Sequence, residues 1–222
     1  MKIIAIMFAG ALLLCAQATE GLAGYWSFDE NDDAKSAGKV TDKTGTFGAV
    51  LKSGAVFTEG KTGMGVAFDG KDSAVIGEKA PKLGQTFTIA AWVNIKNLAA
   101  GQHSIYSVDE KGGHYLRINQ DGSIVLIRAE TAVVASSAKN IPAGKWQHIA
   151  VTYDNGTYAF YINGEAAGNG SAAHVDFTAS TKFGIGKNIA PGGARVTSGI
   201  IDEVRVYTRA LPAADIASIA AQ

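Results

Sequence analysis

The chain has 222 residues, enough for one large β domain or two small ones. Hydrophobic residues make up 47% and charged residues 18%, a packing composition that excludes a disordered chain. Basic and acidic residues balance at 20 each with no like-charged run, which argues against nucleic acid or an anionic membrane as a partner held by bulk electrostatics.

In chain order, the first eighteen residues stand apart. Lys2, the apolar run Ile3 to Cys15 and the small-x-small triplet Ala16-Gln17-Ala18 form the three regions of a secretory signal peptide, with cleavage expected after Ala18. An anchoring helix is the alternative, but the run is short of the roughly twenty residues a span needs. A lipid anchor at Cys15 is another, with Leu14 where a small residue is expected. Cleavage places the protein outside the cytoplasm, periplasmic, secreted or at the cell surface. It also removes the one cysteine, so residues 19–222 fold without a disulfide.

Period-two alternation bounded by turn residues then recurs throughout. Strands are predicted at 23–28, 65–68 and 87–93, the last apolar and β-branched enough to lie centrally, buried on both faces. Hairpin strands follow at 103–108, 114–119, 123–129, 146–153, 157–162 and 165–167. Asp121-Gly122, Asn155-Gly156 and Asn163-Gly164 are the pairs that tight turns favour. The last strands are 183–186 and 200–207, and a short helix over 211–221 has Pro212 in its first turn. No linker or fixed-period repeat divides residues 19–222. Strand spacing of about ten residues, without alternating helices, gives an all-β sandwich or jelly roll in one domain. By parity, Trp26 and Phe28 share a core-facing side, and Trp92, Trp146 and His148 read as core or rim. Asn155-Gly156-Thr157 and Asn169-Gly170-Ser171 read as turn chemistry rather than as glycosylation sites.

Seven ordered blocks carry a family likeness. They are Gly24-Tyr25-Trp26-Ser27-Phe28-Asp29-Glu30, Asp42-Lys43-Thr44-Gly45, Gly65-Val66-Ala67-Phe68-Asp69-Gly70, the strand Phe87 to Val93, Trp146-Gln147-His148 and its strand, Tyr161-Ile162-Asn163-Gly164, and Gly199 to Tyr207 followed by Arg209-Ala210-Leu211. With them the chain resembles laminin G-like domains of the concanavalin A-like lectin/glucanase superfamily, in the form found in secreted bacterial proteins. The resemblance implies an antiparallel two-sheet jelly roll with the terminal strands side by side. It leaves open whether the domain binds or hydrolyses.

Related glucanases carry Glu-x-Asp-x-x-Glu on one strand, and a retaining glycosidase needs carboxylates about 5 Å apart. Here the nearest sequence is Asp202-Glu203, whose adjacent side chains are expected on opposite faces. No serine nucleophile elbow occurs, and the four histidines lack metal-ligand spacing. A non-catalytic, lectin-like module is therefore expected. Its partner is a polysaccharide or glycan; an adhesion or structural module that binds a protein is the alternative reading, and a divergent glycoside hydrolase is the second. Sugar sites combine flat rings with planar hydrogen-bonding groups. Two places offer these: the mid-chain hairpins with His103, Tyr106, His114, Tyr115, Arg117, Arg128 and Glu130, and the Gly-rich loop with Lys187, Asn188 and Arg195. A solvated sheet face is the plain alternative. A structural calcium, which the resemblance implies, would use Asp29, Asp42 and Asp202; turn aspartates that accept backbone N–H groups are the alternative.

Overall fold

The computed structural model describes residues 19–109, 115–128, 131–135, 140–171, 181–190 and 195–222, with backbone alone at 115, 128 and 131–135. The strands form two antiparallel sheets. The first runs β14 (Glu165–Ser171), β13 (Thr157–Ile162), β12 (Gln147–Asp154), β7 (Thr86–Ile95), β16 (Ser198–Tyr207), β5 (Met64–Asp69) and β4 (Val56–Glu59), with β1 (Leu22–Trp26) also paired to β16. The second runs β11 (Thr131–Ala135), β10 (Ile124–Arg128), β9 (Tyr115–Ile118), β8 (His103–Val108), β15 (Phe183–Ile185), β6 (Ala74–Gly77), β3 (Ala49–Lys52) and β2 (Lys39–Val40). Two α-helices, α1 (Asp32–Ser36) and α2 (Ala213–Ala220), and a 3-10 turn, Leu98–Ala100, complete the described elements.

Inward side chains of both sheets make one core. Trp26 lies at its centre, 4.5 Å from the Phe183 ring, and its indole N–H donates to the Phe47 carbonyl at 2.8 Å, so the one polar atom of this buried ring is satisfied. Trp26 and Phe28 both lie in the core as expected, although Phe28 is beyond β1 and holds φ +57°. Strand β7 is buried on both faces because a second cluster covers its outer side. Leu211, Ile216 and Ile219, around α2, pack there on Ala90, Ala150, Tyr161 and Tyr207. Pro212 stands one residue before α2, as its N-cap, in extended conformation. The Asn155-Gly156 and Asn163-Gly164 turns hold positive φ at both residues, the backbone that tight hairpins require.

Several expectations change. β2, β3, β4, β6 and β11 are short strands without clean alternation, and the sequence reading passed over them. Trp146 precedes β12 and is only half-buried, outside the core clusters. Trp92 is buried on the outer side of the first sheet, where the Lys61 ammonium sits 4.6 Å from its ring centroid. His148, beside it, has neither ring nitrogen hydrogen-bonded among the described residues. Asn169 lies in β14, not in a turn. The signal-peptide residues lie outside the described residues.

Candidate functional site

The outer face of the second sheet carries a loop. Gly184 has no side chain, and a Cβ there would stand 2.7 Å from Ile189 Cγ2 and 2.9 Å from the Lys187 carbonyl oxygen, so the loop after β15 can lie directly on the sheet. The Ser107 hydroxyl fixes it, donating to the Lys187 carbonyl at 2.8 Å and accepting from the Ile189 N–H at 3.2 Å. The loop closes on itself where the Asn188 N–H donates to the Arg195 carbonyl, and Thr197 ties its return to the Ser104 carbonyl.

Arg117, expected from one hairpin, thereby meets Asn188 and Arg195, expected from the other place. With Ser104 and Ile127 they line a cleft between loop and sheet. Its enclosed space is about 10 Å³, room for one water-sized group. Arg117 is 6% exposed, and its Nε has no hydrogen-bond partner among the described residues; the Ser104 hydroxyl is likewise buried and unpartnered. Burial, with the Arg195 charge beside it, lowers the Arg117 pKa. Arg195 is held by its Nε donating to Gln102 Oε1. The Asn188 carboxamide oxygen accepts the Ala190 N–H at 3.0 Å, which leaves its NH2 as the donor at the cleft. Sequence reasoning missed Ser104, Ile127 and Gln102, polar or apolar residues whose only signal was their place on the hairpins around Arg117.

The other expected residues sit elsewhere. Tyr106 is fully buried in the core, stacked on Phe183, and offers no ring face to a ligand. A β-bulge between Ser104 and Tyr106 shifts the alternation, turning both Ile105 and Tyr106 inward while Ser104 stays outward. His103 is buried, with Nε2 3.4 Å from the Leu98 carbonyl oxygen. Lys187 pairs with Asp72. His114, Glu130 and the side chains of Tyr115 and Arg128 lie outside the described residues. On the far side of the loop, β2, β3 and β6 border a larger groove of about 420 Å³ that includes Lys39, Thr41, Val50, Ile76 and Glu78.

The three candidate calcium ligands answer N–H donors. Asp42 accepts from the Tyr25, Thr44, Thr46 and Phe47 N–H groups and from the Thr44 hydroxyl. Burial opposes its charge, yet these donors hold its carboxyl below the usual carboxylate range. Asp202 accepts from the N–H groups of Lys61, Thr62 and Glu203, while burial pushes its carboxyl up to about 7. Asp29 accepts from the Met64 N–H at 2.8 Å. Asp29 and Asp202 thus close on the same turn between β4 and β5. A cation and an N–H donor compete for the same lone pairs, so Asp42, with five donors, does not fit a metal ligand as arranged. Among the described residues no group of three or more His, Cys, Asp or Glu side chains could hold a metal ion.

Asp202 and Glu203 do not point to opposite faces. A bulge between Asp202 and Arg205, with Glu203 at φ +52°, brings both carboxylates to the outer side of the first sheet. Glu203 is bound there by Arg205 at 2.5 Å and by the Tyr25 hydroxyl at 2.8 Å.

No curated protein matches the sequence. Among solved structures, domain 4 of AbnA, a GH43 extracellular arabinanase from Geobacillus stearothermophilus solved with arabinotriose, is 24% identical with a TM-score of 0.73, over 90% of this chain and 98% of that one. A Trypanosoma rangeli sialidase solved with sialic acid is 17% identical with a TM-score of 0.67, and the receptor binding domain of botulinum neurotoxin type G is 15% identical with a TM-score of 0.66. Each matches 91% of this chain, which spans 33% of the sialidase and 51% of the toxin domain. At these identities the likeness is one of fold. The family profile matches residues 68–217, and the chain belongs to the concanavalin A-like lectin/glucanases superfamily, in its laminin G-like branch.

Proposed function

We propose that the protein is an exported, non-catalytic module that binds carbohydrate on the outer face of its second sheet. The observation that carries this reading is the cleft where Arg117, Ser104, Asn188 and Arg195 converge with unused donors beside Ile127. Planar donors next to an apolar side chain suit a sugar's oxygens and its C–H surface. The AbnA domain, of nearly the same length as the matched chain, was solved with an oligosaccharide, which supports the reading by analogy. Hydrolysis is disfavoured because Glu203 is engaged by Arg205 and both oxygens of Asp202 accept backbone N–H groups, so the two acids do not form a free carboxylate pair. Export rests on the three-region pattern of residues 1–18.

Affinity electrophoresis against neutral and acidic polysaccharides tests the binding. Retardation by at least one glycan, abolished in Arg117→Ala, is expected. A protein that migrates unretarded through every polysaccharide, or one that releases reducing sugar from them, refutes the module. A calcium ion at Asp29 and Asp202 would have to displace N–H donors from Asp202, so melting in millimolar calcium and in chelator should give the same Tm; a clear rise with calcium would place the ion back at these aspartates.

A further inference from the structure

We propose that the cleft selects an acidic glycan, whose sugar carboxylate enters between Arg117 and Arg195. The inference rests on the carbohydrate-binding reading and names its ligand class. Every polar group that lines the cleft can donate: two guanidiniums, the Asn188 NH2 and the Ser104 hydroxyl. The hydroxyl can also accept, the Asn188 carboxamide oxygen is already engaged by the Ala190 N–H, and no carboxylate lies among the described lining residues. A neutral sugar's hydroxyls both give and take hydrogen bonds, so a neutral ring would leave its own protons unmatched here. A carboxylate has lone pairs only, and it matches the fork of a guanidinium.

Charge points the same way. Two arginines held in one cleft repel each other, and burial of Arg117 sharpens that cost. Arg195 is placed by the neutral Gln102 rather than by an acid, and Arg117 has no described partner at all. The folded protein therefore carries positive charge in the cleft that an anion would offset. The enclosed space, about 10 Å³, admits the edge of a carboxylate and not a whole ring. The ring would then lie at the mouth of the cleft against Ile127 and Asn188, and the buried Ser104 hydroxyl would donate to the carboxylate from the cleft floor. A uronate presents carboxylate, hydroxyls and an apolar ring face as one rigid unit. An acidic peptide carries its carboxylate on a flexible stem that costs entropy to order.

The test uses homogalacturonan and alginate, each as the free acid and as its ester, beside a neutral arabinan and poly-L-glutamate, in titrations of the full chain. Esterification removes the charge and keeps the sugar. The free acids should bind, weaken with added salt and lose about tenfold or more affinity in both Arg195→Gln and Arg117→Lys, while the esters bind far less. Arg195 is in the loop, so its variant reports even if Arg117→Lys does not fold. Equal binding of acid and ester, or of arabinan alone, overturns the acidic ligand and keeps the module. Acid binding that ignores both substitutions overturns the cleft as its site. Binding of poly-L-glutamate alone, lost in Arg195→Gln, overturns the glycan in favour of an acidic protein. No binding of any polysaccharide or of poly-L-glutamate removes the module reading and this one together.

Discussion

His148 shows how the outer side of the first sheet handles polar groups. It is enclosed beside Trp92, and burial together with the Arg205 charge pushes its pKa down to about 3 from an ordinary 6.5. The unfolded chain therefore takes up the proton first, and stability present above about pH 6.5 drains away as pH falls toward 3. Asp202 acts in the opposite sense, since its raised pKa favours the protonated fold on acidification. Comparing the protein with His148→Phe cancels that contribution. The variant keeps a ring of similar volume and removes two buried nitrogens without partners. Its Tm should fall less between pH 7 and 4 than that of the parent. Parallel curves would mean that His148 is not the group that charges.

At the scale of elements, α2 is a lid on a separate apolar patch. Ile216 and Ile219 are buried against the outer side of the first sheet, and the main core does not reach them. Gly164 in the β13–β14 turn allows this docking, since a Cβ there would stand 2.9 Å from Ala217 Cα. Ile216→Ala should cost about 2–4 kcal/mol and lower Tm by roughly 5–15 °C. Hydrogen exchange should show the α2 amides opening before those of β7 and β12, because the helix rests on its own small cluster. Simultaneous exchange of both would indicate one cooperative unit. The sequence foretold this helix and its boundaries to within two residues. It did not foretell that Trp146 stays out of the core, since alternation says which residues share a face and not where a strand begins.

The whole molecule is closed by contacts distant in sequence. β1 and β16 pair from the two ends of the domain, and Trp26 from β1 stands at the centre of the core against Phe183. A fragment of residues 68–217, the stretch matched by the family profile, would lose β1 to β4, most of β5 and the end of α2, and would leave the Phe183 ring without Trp26 beside it. Such a fragment should be insoluble or lack cooperative unfolding, whereas residues 19–222 should melt in one transition. A folded fragment with a sharp melt would show that the first four strands are an accessory. Pairing across some 180 residues also places this domain among slow folders, because loop closure precedes the contacts that reward it.

Alternation, Asn-Gly turns and the seven ordered blocks determined the sandwich, its family, its central strand and the terminal helix, because these features are local and repeat with a period a sequence displays. Alternation also put Trp26 inward, where it is fully buried. Only the tertiary structure decided the site. Two bulges broke the count, one turning Tyr106 into the core and the other bringing Asp202 and Glu203 to the same side of their sheet. A bulge adds one residue to a strand and leaves no reliable mark on composition. The meeting of Arg117 with Asn188 and Arg195 depends on Gly184 letting a loop settle on the sheet, a contact between segments some 70 residues apart that no local pattern encodes.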